Sequence, residues 1–199
     1  MKFRFSVLFL ALALSFPAAA KAAETYTLDP GHTEIVWQAG HFGFSSPTGK
    51  FAGATGKVML DEAAPAKSSV EVTINTAALF TGNEKFDAHL KSADFFNVEK
   101  FPSASFKSEN VTLTGEKTAT VEGMLTILGI SKPVTLEVTL NKLDVNPLNS
   151  RKTAGFSAKT TIRRSEFGIN YGLPGIPDEV TIAIQAEASP EEAAPKAAK

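Results

Sequence analysis

The chain contains no cysteine. That removes disulfides, thiolate catalysis, iron–sulfur ligation, covalent haem attachment and acylation of an amino-terminal cysteine. Histidine is scarce as well, at three residues, and the aromatic set holds two tyrosines and one tryptophan. No Gly-x-Ser-x-Gly elbow, Walker loop or Gly-x-Gly-x-x-Gly fingerprint occurs, so the common acyl-transfer, nucleotide and dinucleotide signatures are missing. An excess of basic charge is also lacking: 20 Lys and Arg stand against 21 Asp and Glu. A basic face for nucleic acid or for an anionic lipid surface is therefore not expected.

Only one long apolar run is present, and it lies at the amino terminus. Met1-Lys2-Phe3-Arg4 is a short positive segment, and Phe5 to Phe16 carries no charge. Pro17 ends the run and small residues follow to Ala23. This reads as a cleavable signal peptide over 1–22, cut after Ala22, with a cut after Ala20 as the alternative. The run is short of the ~20 residues a membrane span takes. Export to the periplasm is the expectation. The remaining chain would carry a net charge of about −4. With no disulfide to help, its core would have to carry stability alone.

What is abundant is phenylalanine, fifteen in all, and alternation. Ile35-x-Trp37, Val70-x-Val72-x-Ile74 and Val121-x-Gly123-x-Leu125-x-Ile127 each place apolar residues at every second position. So do Val134 to Leu140, Phe156 to Ile162 and Val180 to Ala186. Period two is the mark of strands with one apolar and one wet face. Gly129 to Lys132 predicts a tight hairpin, while 61–68 and 141–153 read as loops. About eight such strands point to an all-β antiparallel barrel or a sandwich, and closure leaves no open edge. Thr81-x-x-Glu84 predicts a capped helix to about Lys91, and 92–96 a second helical turn, either a cap on a barrel mouth or a helix packed on the outside of a sandwich. Residues 188–199, rich in Ala, Pro, Glu and Lys, are expected to be an unstructured tail.

Few residues suggest chemistry. His32 and His41 are about 30 Å apart on a straight strand, so a shared metal is not expected. Asp87 and His89 fall on different sides of a helix and make a poor acid–base pair. Arg164 is either part of a surface basic pair or an anchor for an anionic head group, with Lys85 and Lys91 in support. The phenylalanines are either a solid core or the lining of a hollow interior.

Several ordered motifs resemble the YceI-like, or polyisoprenoid-binding, family. They are Tyr26-x-Leu28-Asp29-Pro30-x-His32-Thr33-x-Ile35-x-Trp37-x-x-x-His41, Gly49-x-Phe51, and Asp87-x-His89-Leu90-Lys91-Ser92-x-Asp94-Phe95-Phe96. Gly123-x-Leu125-Thr126-Ile127-x-Gly129-x-Ser131-Lys132-Pro133 and Arg164-Ser165-Glu166-Phe167-Gly168 continue the series. The resemblance implies a lipocalin-like barrel over 23–187 that holds a long isoprenoid, quinone or fatty amide, without a catalytic reaction or cofactor. The family often has arginine where Phe86 stands and aspartate where Glu166 stands, which favours a weakly charged head group here. Parity puts Ile35, Trp37 and His41 inward, and Phe106, Leu125, Ile127 and Phe156 on their own strands. Phe44, Phe51, His89, Phe95, Phe96, Arg164 and Phe167 complete the expected ligand-binding set. An enzyme acting on such a lipid and a ligand-free structural barrel are the alternatives, and a homodimer is left open.

Overall fold

The computed structural model describes residues 23–191. The expected signal peptide and the end of the expected tail lie outside the described residues. Eleven strand segments form one antiparallel sheet that closes on itself where β1 (Glu24–Leu28) pairs with β11 (Glu179–Pro190). Three long strands are each broken in two. β1 and β2 (Glu34–Ala39) run in succession along β3 (Thr48–Ala52) and β4 (Thr55–Leu60), with Tyr26 opposite Val58 and Ile35 opposite Phe51. β5 (Ser69–Asn75) and β6 (Leu79–Phe80) are joined by a short 3-10 turn over Thr76–Ala78. The remaining staves are β7 (Ser103–Leu113), β8 (Thr118–Ile127), β9 (Ile130–Val145), β10 (Lys152–Arg163) and β11. The result is an eight-stave closed barrel: the all-β class is the one the alternation predicts, and of barrel and sandwich it is the lipocalin-like barrel that the family resemblance implies.

Local chemistry shapes the connections. The β8–β9 hairpin turns on Leu128 and Gly129, both with positive φ, and Ile127 faces Ile130. That is the primed two-residue turn whose twist suits paired strands. The turn thus precedes the predicted position, and Ile130 to Lys132 already belong to β9. The loop expected over 141–153 shrinks to six residues, because β9 and β10 continue their ladder out to Val145 and Lys152. β11 likewise extends to Pro190, so Ala188 to Pro190 are strand and not tail: they pair with β1, and Ala188 is fully buried.

Among the described residues the one α-helix, α1 (Glu84–Lys91), is capped by Asn83 and not by Thr81. The Asn83 side chain accepts from the N–H groups of Lys85 and Phe86, each at 3.1 Å. Thr81 instead donates its N–H to Asp87 Oδ1 at 2.8 Å, tying the helix to the end of β6. Residues 92–96 form turns and no second helix.

The interior divides along the barrel. At one end Tyr26, Leu28, Val58, Leu60, Ala154 and Ala188 form a small closed cluster, with Phe156 against it. Tyr26, Ala154 and Ala188 are fully buried there. The larger cluster lines the other end, under α1 and the β10–β11 connection. A Tyr-based floor and a helix-covered upper chamber follow from where the large side chains fall on each stave.

Candidate functional site: an apolar chamber at the helix end

The upper chamber is hollow, with a volume of about 530 Å³. That lies within the ~300–1,000 Å³ of small-molecule sites. Its walls are Ile35, Trp37 and Ala39 from β2, Phe51 from β3, Ile74 from β5, Ala104 from β7, Leu125 and Ile127 from β8, Ile162 from β10, and Val180 and Ile182 from β11. Alternation on every stave delivers these residues to one side, which is why the lining is almost wholly apolar. From Ile35 to Gly40 the wall spans about 16 Å along the strand.

The roof comes from two segments. Helix α1 and the turn after it bring Phe86, His89, Leu90, Phe95 and Phe96 over the chamber. Phe86 meets Trp37 edge-on at 6.3 Å between centroids, and Phe96 meets Phe51 at 5.2 Å. The β10–β11 connection supplies Phe167, Ile169, Tyr171, Gly172 and Ile176. The two segments touch through rings: His89 packs edge-on against both Phe95 (5.1 Å) and Tyr171 (4.9 Å). His89 Nε2 lies 3.1 Å from Asp94 Oδ2.

Trp37 crosses the neighbouring stave at Gly49. A β-carbon on Gly49 would fall 2.4 Å from the indole ring, so only glycine lets the ring lie there. The indole Nε1–H is buried and has no hydrogen-bond partner. An unpaired buried donor costs ~1–3 kcal/mol, and it belongs to the most polar side chain in the apolar wall.

Arg164 sits under the roof, only 5% exposed. It is neither a surface residue nor an anchor with an open fork. Its Nε donates to Pro177 O (2.9 Å), Nη1 to Ile169 O (3.0 Å) and Tyr171 O (2.9 Å), and Nη2 to Ile176 O (2.7 Å). One guanidinium therefore folds the whole 169–177 loop around itself. Burial pushes its pKa down, and the Asp178 carboxylate opposes that. Asp178 in turn accepts from Ser165 N (2.8 Å), Ser165 Oγ (2.7 Å) and Arg163 Nε (3.0 Å). The Ser165 N–H, foremost, holds the Asp178 carboxyl below the usual range.

Of the residues singled out from sequence, Ile35, Trp37, His41, Phe51, His89, Phe95, Phe96, Leu125, Ile127, Arg164 and Phe167 line the chamber or its rim. Three are elsewhere. Phe106 is buried in the core beside the chamber, its ring filling the space a β-carbon of Gly123 would need. Phe156 faces inward but lies too deep, against the floor cluster; parity sets the side of a strand and not the height along the barrel. Phe44 points away from the interior, because β2 ends at Ala39 and parity lapses in the loop beyond. His41 stands at the rim, exposed, with its N–H bonded to Ser45 O. Residues passed over in the sequence include Phe42, Ile169, Tyr171 and Ile176 in loops without periodicity, and Phe86 on the helix. The i, i+4 spacing of Phe86 and Leu90 did carry a signal for the last of these.

The histidines do not converge. His32 bonds Asp29 Oδ2 at 2.8 Å on the β1–β2 connection, and that partner raises its pKa. Among the described residues no group of three or more His, Asp or Glu is placed to hold a metal ion. His89 pairs with Asp94, and Asp87 is occupied by Thr81.

A family model, the YceI-like domain, matches residues 26–188. The chain belongs to the YceI-like family. A UPF0312 protein of Pseudomonas putida (strain W619) is 40% identical over 171 residues, covering 85% of this chain and 88% of the relative. One from Pseudomonas fluorescens (strain SBW25) is 41% identical over 138 residues, covering 69% and 71%. Among solved structures, Burkholderia cenocepacia BcnA aligns with a TM-score of 0.72 at 24% identity, over 80% of this chain and 98% of that one. A polyisoprenoid binding domain from Saccharophagus degradans, implicated in plant cell wall breakdown, aligns with a TM-score of 0.63 at 13% identity, over 85% and 99%. At such identities these structures speak for the fold. The YceI-like motifs now have physical reasons: Gly49-x-Phe51 seats Trp37 and walls the chamber, and Arg164 to Gly168 builds the roof.

Proposed function

We propose that this YceI-like barrel is a periplasmic carrier that holds the end of a long apolar lipid, of the isoprenoid, quinone or fatty-amide class. The observation that carries the reading is the roofed chamber of about 530 Å³ with an almost uniformly apolar wall. Burial there contributes about 0.8 kcal/mol per methylene, so a chain of modest length binds without any charged contact. The floor at Tyr26 limits depth, so the chain end is inserted and the head group stays near the rim. Arg164 has its donors engaged by four backbone carbonyls and is a poor phosphate anchor. The apolar run at 5–16 supports export, and a water-filled compartment is where an insoluble lipid needs a carrier.

The test is direct. Protein purified from an exporting host is extracted with organic solvent and the extract is read by mass spectrometry. A stoichiometric apolar lipid is expected, and the same lipid added back to stripped protein should change Trp37 emission, since Trp37 is the sole tryptophan. Repeated extracts without lipid, together with a silent Trp37 on titration, would rule the carrier reading out.

A further inference from the structure

Several apolar side chains are exposed around the chamber mouth. Phe44 is 90% exposed at the tip of the β2–β3 loop, and Phe42 beside it is 55% exposed. Across the mouth, Tyr171 and Leu173 on the β10–β11 loop are 47% and 36% exposed. The two loops form one rim: Phe42 N donates to Gly175 O at 3.1 Å, and the Phe42 ring occupies the space a Gly175 side chain would take.

Charge is missing from the tips of this rim, although the β10–β11 connection carries the exposed Glu166 just before Phe167. From Ile35 to Gly49, and again from Phe167 to Pro177, no Asp, Glu, Lys or Arg occurs. A third neutral stretch, Gly123 to Ser131, brings the β8–β9 turn, where Ile130 touches the roof beside Gly168. In a chain with 41 such charged residues, three neutral stretches meet at one end of the barrel. The helix side of the mouth differs, carrying Glu84, Lys85, Asp87 and Lys91 on α1. At the far end the exposed Leu148 and Val145 have Lys142, Asp144, Arg151 and Lys152 as chain neighbours.

From this we infer that the rim formed by the β2–β3 and β10–β11 loops is a docking collar for the surface of a lipid bilayer. Four observations select a bilayer over a protein. The apolar groups stand on separate loop tips rather than on a flat face, which suits a soft surface and not a matched one. Phenylalanine and tyrosine are the side chains that settle at the boundary of headgroup and acyl chain. The neutral loops remove the charge that would resist entry into that layer. And the collar is continuous with the chamber through Phe42 and Tyr171, which belong to both. A lipid could then pass from bilayer to chamber without crossing water. The charged helix side stays in solution, so the barrel meets the membrane tilted onto its two loops.

The inference rests on the carrier reading for its purpose and not for its test. A chain beginning at Ala23, which carries every strand of the barrel, is stripped of lipid and mixed with phosphatidylcholine vesicles, and co-sedimentation is measured. Wild-type protein is expected to bind, and to keep binding in about 1 M salt, where the Debye length falls to ~3 Å. Phe44→Ser should weaken binding about tenfold, and Phe44→Ser with Leu173→Ser further, from the apolar burial each residue loses. Leu148→Ser at the far end should bind like wild type. Neither Phe44 nor Leu173 lines the chamber, and matched melting curves confirm the fold. Absent binding, binding lost in salt, or equal loss in Leu148→Ser overturns the inference. So does attachment to native membranes that protease treatment abolishes, with none to protein-free vesicles, because it assigns the collar to a protein partner. Lipid content read by mass spectrometry before stripping separates the two proposals: a lipid-bearing protein that ignores vesicles removes the collar alone.

Discussion

Arg164 and Asp178 show how much one side chain can organise. Arg164 satisfies four carbonyls of a loop that has no regular structure of its own, and Asp178 fastens Ser165 and Arg163 at the start of that loop. Asp178 keeps a folded-state pKa below its unfolded one. Its contribution is therefore complete above the ordinary carboxylate pKa of about 3.9 and is lost as pH falls through the lower folded value. Asp178→Ala should cost about 2 kcal/mol at neutral pH, and the deficit relative to wild type should shrink only below about pH 3.9. Denaturant melts across the acid range measure this; a deficit that fades near pH 6 would point to another group. Arg164 was visible in sequence as a basic residue beside a strand end. Its role was not, because its partners are backbone carbonyls, which every loop possesses.

At the scale of elements, the alternating runs reported their strands well, and the breaks were harder to see. The segment from Tyr26 to His41 reads as one extended strand in sequence, yet it is two, β1 and β2, interrupted at the connection that holds His32 and forming one stave against β3 and β4. The crossing of Trp37 over Gly49 joins two of these segments and sets one wall of the chamber. Gly49→Ala places a methyl group where the indole lies and should drive the ring out of its seat. Overpacking of this kind typically costs about 1–3 kcal/mol. The expected signs are a red-shifted Trp37 emission and loss of most co-purified lipid, with the barrel's far-ultraviolet spectrum unchanged. Unaltered emission would mean that the ring tolerates the methyl and that Gly49 has another task. The helix cap offers a smaller lesson. Thr81 and Glu84 have capping-box spacing, but Asn83 is two residues nearer the helix and offers an Asx acceptor to two N–H groups at once.

For the whole molecule, closure is the decisive event. β11 pairs with β2 along its first half and with β1 along its last residues, so its end is the seam that completes the ring. Composition argued for a tail from Ala188, since Ala, Pro and Glu rarely build strands. The seam overrides that preference: Leu28 faces Ala188, Tyr26 faces Pro190, Arg151 donates to Pro190 O, and Glu191 pairs with Lys57. Ending the chain after Glu191 should leave the melting temperature unchanged. Ending it after Glu187 removes three pairings and a fully buried alanine, and should lower the melting temperature by roughly 10 °C. Equal melting of the two truncations would show that the seam does not depend on these residues.

Barrel and sandwich both stayed open in the alternation, but the sequence by itself carried the all-β class, most of the long strands, the exclusion of thiol chemistry and most of the residues that face inward. These are local properties: parity along a strand, turn chemistry and the presence or absence of a side chain. The tertiary structure alone decided where the interior is solid and where it is hollow. That depends on the height of each side chain along the barrel, which is why Phe156 fell to the floor and Phe106 to the core while Phe86 and Tyr171 joined the roof. It also decided that three uncharged loops, far apart in the chain, share one rim. Closure of the barrel brings them together, and no window of sequence contains that information.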